Sequence, residues 1–577
     1  MNPMKTEQVR QVRRAALAAG VGAALVGGVL LFVPDHDRPA VLSPEARAMA
    51  AAGSGAPASL ADLTALIHDR EAWLRTHPKD GEAWAVLGSA YVERGSRQGN
   101  SAYYPKADQA LQRSLATVAE ADDRAAAGRP AQGGADGGED GKAGEPAEYG
   151  NPAALVGLAR LANARHDFAT ARKWAETVRK QRPDDWTPYP VLIDAYSGLG
   201  EYKAAGEALD RLKELHSGTP VLERAAAVYR ELGRHEDATA KATEAAATAD
   251  TPEEKAEALH TLGRLSWDQG RPAKALDHYD AALAAAHAHP ASMAGRARAL
   301  AALGRTDEAY QVYEAALGKL PLPEYALELG ELYDSEGLTG DAQTQYEWLR
   351  ERVGKAQAHG VNEQLVLARF ETDHGDPEGA VVRLTAEWTR SHRSMYVADA
   401  LAWALHRAGR SDEALAYARK ATRQGLRNAL FSYHLGEIER TLGMRGPARR
   451  HIEEALRINP YFSPLLAPKA RESLNVLENV SGGGPMSGPM SGPKNTRGQD
   501  VREQDLRGPD VSGPDTRGQD TQRQYVPKPD TRGQDTRGQA PDAQMPDTQL
   551  PETQGQSASS PLPFPVPAQP PAVAGTV

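Results

Sequence analysis

A glycine that returns about every 34 residues constrains this chain more than any other feature. Gly200, Gly233, Gly270, Gly304, Gly337, Gly375, Gly409 and Gly443 mark the period. An alanine follows five residues after each, at Ala205, Ala238, Ala275, Ala309, Ala342, Ala380, Ala414 and Ala448. A fixed period of this length is the mark of a stacked helical solenoid, in which each unit rests only on its neighbours. The spacing predicts an all-α array of helix-turn-helix units that binds something, without naming what it binds.

The remaining bounds agree. A chain of 577 residues exceeds what one core can organise, so an open-ended array is expected. Aromatics are only 6%, which suits closely packed small-residue helix pairs. The formal charge of −10 mixes both signs and gives no electrostatic case for nucleic acid. Cysteine is absent, so no disulfide, thiol nucleophile or Cys-ligated metal can form.

At the N-terminus, residues 1–14 carry Lys5, Arg10, Arg13 and Arg14 ahead of an uncharged apolar run over 15–33. About 19 residues at 1.5 Å each give roughly 28 Å, enough to cross a hydrocarbon core. The residues after Val33 make a poor cleavage site, so the run reads as a transmembrane signal anchor. Basic residues before it and acidic ones after it predict a cytoplasmic N-terminus and an array outside the membrane. A cleaved, secreted form is the alternative. Residues 34–57 read as a linker, and 58–120 as N-terminal helices, the first starting from the Ser59 cap, followed by a first repeat.

The segment His77 to Tyr91 makes the repeat specific. Trp84, Leu87, Gly88 and Tyr91 sit where one helix would bury a stripe and admit a second helix against a small residue. The pattern resembles the tetratricopeptide repeat, which implies a right-handed superhelix of helix hairpins. It recurs at Leu262-Gly263 with Ala275 and Tyr279, at Leu329-Gly330 with Ala342 and Tyr346, and at Leu435-Gly436 with Ala448 and Ile452. Roughly ten repeats are expected between residues 80 and 460.

Residues 121–150 are Gly, Ala, Asp and Glu without apolar period and read as a disordered insert. The insert would let the first helices move relative to the main array, 151–462. Longer steps, Gly233 to Gly270 and Gly337 to Gly375, imply longer second helices or loops. A capping helix is expected over 463–480, with Leu474 and Leu477 covering the end of the array. From 481 to 577 the chain is low in complexity, with Asp-containing repeats and Arg-Gly-Gln between them, and reads as a disordered tail.

No phosphate loop, nucleophile elbow or zinc-protease motif is present in the sequence, so a binding protein is expected rather than an enzyme, with no cofactor. His287 and His289, and the Asp35-His36-Asp37 run, lack a third ligand at closed spacing and read as solvent-exposed, with no metal. Glu253 and Glu254 fall in a first helical turn after Thr251-Pro252, where they complement the helix dipole.

The first helix of each pair lines the concave side of such an array. Its inward positions give a partner groove of His260, Arg264, Trp267 and Asp268, then Glu331 and Asp334, then Arg369 and Asp373. Tyr396, Asp399, Trp403 and Arg407 follow, then Tyr433, Glu437 and Arg440. Large aromatics on a wet face often anchor a partner, which singles out Trp267, Tyr396, Trp403 and Tyr433. With the register off by one they would be core. The Lys, Asn and Arg set by which some members of the resembling family grip a chaperone's terminal carboxylate is not found; Asn362 and Arg369 alone do not make it.

The expected function is a membrane-anchored scaffold or adaptor for a protein or peptide partner. One alternative follows from the single repeat at His77–Tyr91, which looks like the repeat subunits that aid cytochrome c maturation. A cryptic enzyme, or a regulator of one, is the other.

Overall fold

Small polar caps and prolines set where the helices begin. The Glu254 backbone N–H donates to the Thr251 hydroxyl, and the Thr251 N–H donates back to the Glu254 carboxylate, each at 3.2 Å, with Pro252 in the first turn. Asp80, Asn151, Ser394 and Asn428 cap their helices by accepting first-turn N–H groups. The protein is described by a computed structural model over residues 42–127, 150–390 and 392–481. Among these residues the only regular elements are α-helices. They belong to one compact unit, 1–488; the second unit, 489–577, lies outside the described residues.

Ten helix hairpins follow one another among the described residues, from Gly81–Gln98 with Tyr103–Ala127 to Ala429–Thr441 with Arg445–Ile458. Within a hairpin a small residue on the first helix admits a ring from the second. A Cβ at Gly263 would lie 2.5 Å from the Tyr279 ring, and Ala275 on the facing helix has no exposed surface. The first longer step lengthens a first helix, Pro252–Asp268, rather than a second; the other gives the long second helix Thr339–Ala358. The terminal helix runs Leu466–Ser481 and packs Leu474 and Leu477 against the last hairpin.

The linker expected over 34–57 holds a helix, Pro44–Ser54, which corrects that reading. Ser43 caps it, Pro44 opens it and Gly55 closes it. Arg47 ties it to Asp62 on the next helix, Nη2 to Oδ1 at 2.5 Å. The Tyr103–Ala127 helix likewise runs into the expected insert, whose residues 121–127 are therefore helical. The helices on either side of the insert do not form separate blocks. Ala83, Leu87 and Leu111 share one core with Leu158 and Leu161, and Asn151 Nδ2 donates to Ser114 Oγ at 3.2 Å.

The expected membrane segment, 15–33, lies outside the described residues, as do the tail and the Asp35-His36-Asp37 run. Among the described residues no helix is long and apolar enough to cross a membrane. The expected placement as a single-pass membrane protein with the array outside is therefore not supported by any described helix. The array helices are apolar only where they pack, and charges recur on their other faces.

The array departs from a nearest-neighbour solenoid in one decisive way: it touches itself. The Met395 N–H donates to Tyr202 Oη at 2.8 Å, His166 Nδ1 donates to the Asn362 carbonyl at 2.8 Å, and Asn459 Nδ2 donates to the Trp267 carbonyl at 2.9 Å. These partners are 192 to 196 residues apart, roughly five to six repeats. Tyr202, Met395, Ala398, Leu426 and Phe431 form a buried cluster across this seam. At its tightest points glycine is required. Gly200 and Gly233 have φ of 77° and 74°, and a Cβ on either would run into the carbonyl oxygen of Arg393 or Gly425 respectively.

Candidate binding cavity inside the array

The seam turns what would be an open groove into a cavity of about 690 Å³ lined by the inward positions of the first helices. Arg264, Trp267, Asp268, Glu331, Arg369, Asp373, Asp399 and Trp403 all reach it, so the inward register read from the sequence converges from several hairpins. His260, Asp334, Tyr396, Arg407, Tyr433, Glu437 and Arg440 are not part of its lining.

The aromatic residues are distributed differently from the expectation. Trp403 is 6% exposed and Tyr433 3% exposed. Trp403 lies stacked on His434 at 4.2 Å and 11°, with His406 on it at 5.0 Å, and its Nε1 donates to Asp373 at 3.1 Å. Tyr433 packs on Phe462 at 5.4 Å, and burial pushes its phenol up. Both are core residues: the His434 and His406 rings cover Trp403, and Phe462, from the segment after the last hairpin, packs on Tyr433. Tyr396 is half-buried at the seam, accepting from Arg230 Nη1 at 3.3 Å and lying edge-on to Phe431. Trp267 alone among the four keeps partial exposure inside the cavity, with the Arg298 guanidinium 5.7 Å from its ring.

Most charged positions are tied to one another. Asp334 accepts from Tyr346 Oη at 2.7 Å and lies 3.5 Å from His374 Nδ1, whose Nε2 is 3.7 Å from Glu331. Asp373 takes Arg407 at 3.5 Å; Glu437, buried, pairs with the exposed Arg440 at 2.8 Å. Asp399 is buried and accepts from His434 Nδ1 at 3.0 Å. Arg369 is exposed at the cavity rim. Two pairs that the sequence reading missed complete the lining: Arg230 with Asp268 at 2.5 Å, and Arg298 with Glu328 at 2.7 Å. Burial works against the Arg230 charge, but Asp268 and Tyr396 raise it above the usual guanidinium range. Arg264 has no such partner. Burial, then the like charge of Arg230, hold it below its ordinary value, and its Nε is buried without a hydrogen bond.

His260 lies beside Tyr279 at 5.6 Å and His289 at 5.6 Å. His289 is not solvent-exposed as expected: it caps the helix Pro290–Ala302 and its Nε2 lies 3.0 Å from Glu257. His287 is exposed. No group of three metal-type ligands occurs among the described residues. Burial, with the charges of Arg264 and His289, lowers His260 to about 3 even though Glu257 opposes this. The folded state therefore keeps this ring neutral. As pH falls from 6.5 toward 3, the unfolded chain takes up a proton that the folded chain refuses. Stability then drops by up to about 1.4 kcal/mol per pH unit from this group. His406, lowered to about 4 by burial, acts in the same direction. The His260→Gln variant is expected to show a shallower loss of urea midpoint between pH 6.5 and 4.5, by about one proton's worth. An unchanged slope would remove His260 from the account.

The chain matches the family described as tetratricopeptide repeat over residues 260–322 and 400–461. No curated protein matches it. Among solved structures it is similar to a tetratricopeptide repeat protein from Parabacteroides merdae, at 18% identity and a TM-score of 0.29, over 45% of this chain and 99% of that one. It is also similar to the Pseudomonas aeruginosa pilF protein, at 20% identity and a TM-score of 0.29, over 36% of this chain and 95% of that one. A third similarity is to MamA, at 19% identity and a TM-score of 0.23, over 29% of this chain and 91% of that one. Residues 260–322 and 400–461 match tetratricopeptide repeats, and among the described residues the chain is an all-helical array of repeated hairpins like these.

Proposed function

We propose that this protein is a scaffold that binds a protein segment along the inward faces of its helix pairs. The observation that carries this reading is the convergence of Trp267, Glu331, Arg369 and Asp373, from three separate hairpins, on one cavity. The matched repeats support it, since such arrays present extended surfaces for protein partners. The exposed Arg369, Arg407 and Arg440 supply charge near the same face, where steering acts mainly on association rate. Trp267, a large ring only partly covered, is the expected anchor.

Photo-crosslinking tests this directly. A photoreactive residue at position 369 is expected to give discrete partner adducts in cells. The same residue at Lys203, whose side chain is 94% exposed on a second helix, is expected to give none. Adducts of equal yield at both positions, or only at Lys203, would move the partner surface off the inward face. Trp267→Ala is expected to weaken partner retention by about tenfold or more, with helicity unchanged by circular dichroism.

A further inference from the structure

The cavity holds an arrangement that a protein-binding groove does not need. Its interior charges are paired internally: Arg230 with Asp268, Arg298 with Glu328, Asp373 with Arg407, and Asp399 with His434. Arg369, Arg471 and Glu336 belong to the exposed rim. One interior cation is left over. Arg264 forms neither a hydrogen bond nor an ion pair among the described residues, and its Nε is buried. A half-buried guanidinium with no ion pair in contact, on which Asp268 and Glu257 act only at longer range, is costly to hold, and an anionic ligand would relieve that cost.

His434 is the second unsatisfied group. It is 4% exposed and lines the cavity. Both Asp399 oxygens lie within 3.1 Å of Nδ1 and hold the proton there, while Nε2 is buried with no partner. In the neutral ring Nε2 is an acceptor and needs a donor. Trp267, Leu332, Leu430 and Phe462 add apolar surface to the same lining. The volume of about 690 Å³ falls within the roughly 300–1,000 Å³ of small-molecule sites.

We propose that the cavity is a site for a small organic monocarboxylate with an apolar body and one N–H or O–H donor. The carboxylate meets Arg264 and the donor meets His434 Nε2. A single negative charge is specified because Asp268, Glu328, Asp373 and Asp399 surround the space and would repel a dianion. The inference goes beyond the scaffold reading and does not depend on it.

N-acetyl-L-leucine carries a carboxylate, an amide N–H and an isobutyl body; its C-terminal amide lacks only the charge. Calorimetry with the full chain is expected to show the acid binding about tenfold or more tighter than the amide. Arg264→Gln is expected to abolish that preference, and His434→Gln to weaken acid and amide alike. Should Arg264→Gln misfold, Arg264→Lys keeps the charge without the guanidinium fork and is expected to retain part of the preference. Equal binding of acid and amide, a preference that survives Arg264→Gln, or no binding of the acid at millimolar concentration would each overturn the proposal. The crosslinking at position 369 is scored separately, so a chain that binds the acid and no protein, or the reverse, tells the two readings apart.

Discussion

Replacing Gly233 by alanine is expected to destabilise the chain far more than replacing Gly304, although both glycines close a first helix at nearly the same φ, 74° and 75°. The cost of an alanine in the left-handed region is common to the two, about 1–2 kcal/mol. Around Gly304 nothing lies within 4 Å of the added methyl. At Gly233 the methyl runs into the Gly425 carbonyl, a backbone atom of a hairpin far along the chain. Neither side is a flexible side-chain tip, so the seam must part, adding about 1–3 kcal/mol. Urea midpoints measure the difference, and small-angle scattering should show an increased radius of gyration for Gly233→Ala only. Equal midpoint shifts in the two variants would mean that the self-contact contributes nothing to stability.

Truncating Tyr279 to alanine is the second large effect. The ring is 1% exposed and fills the space left by two glycines, Gly263 and Gly295, on successive first helices. Its loss leaves a cavity between adjacent hairpins and is expected to cost about 3–5 kcal/mol. Tyr279→Phe isolates the hydroxyl. That oxygen is buried without a hydrogen bond, and burial pushes the phenol up to about 12. Removing a polar atom that has no partner takes away a desolvation cost, so phenylalanine is expected to be neutral or mildly stabilising. Thermal unfolding of the two variants checks the pair. A Tyr279→Phe loss comparable to that of alanine would show that the hydroxyl has a partner after all.

The repeats themselves were legible because their causes are local. The glycine beat marks the turn between two helices, and small-residue positions such as Gly263 and Ala275 mark where those helices meet. Inward positions on the first helices followed from the same periodicity, which is why Arg264, Trp267, Glu331, Arg369 and Asp373 all reach one cavity. The cap on Pro44–Ser54 is also written locally, in Ser43, Pro44 and Gly55, although the Ala-, Gly-, Ser- and Pro-rich composition around it is that of a tether. Trp403 and Tyr433 were misplaced for a different reason. Their first-helix register is inward, yet neighbouring rings cover them, His434 and His406 on Trp403 and Phe462 on Tyr433, and no periodicity reports those contacts.

The sequence alone therefore determined the hairpin, its period and the facing positions within it, because each depends on contacts between residues a few turns apart. Only the tertiary structure decided that hairpins five to six repeats apart touch, that their inward faces bound one shared, open-mouthed cavity, and that Arg264 and His434 are left unsatisfied beside it. Those outcomes depend on small rotations summed over many units. No single repeat encodes that sum, so the partners across the seam carry no local signature.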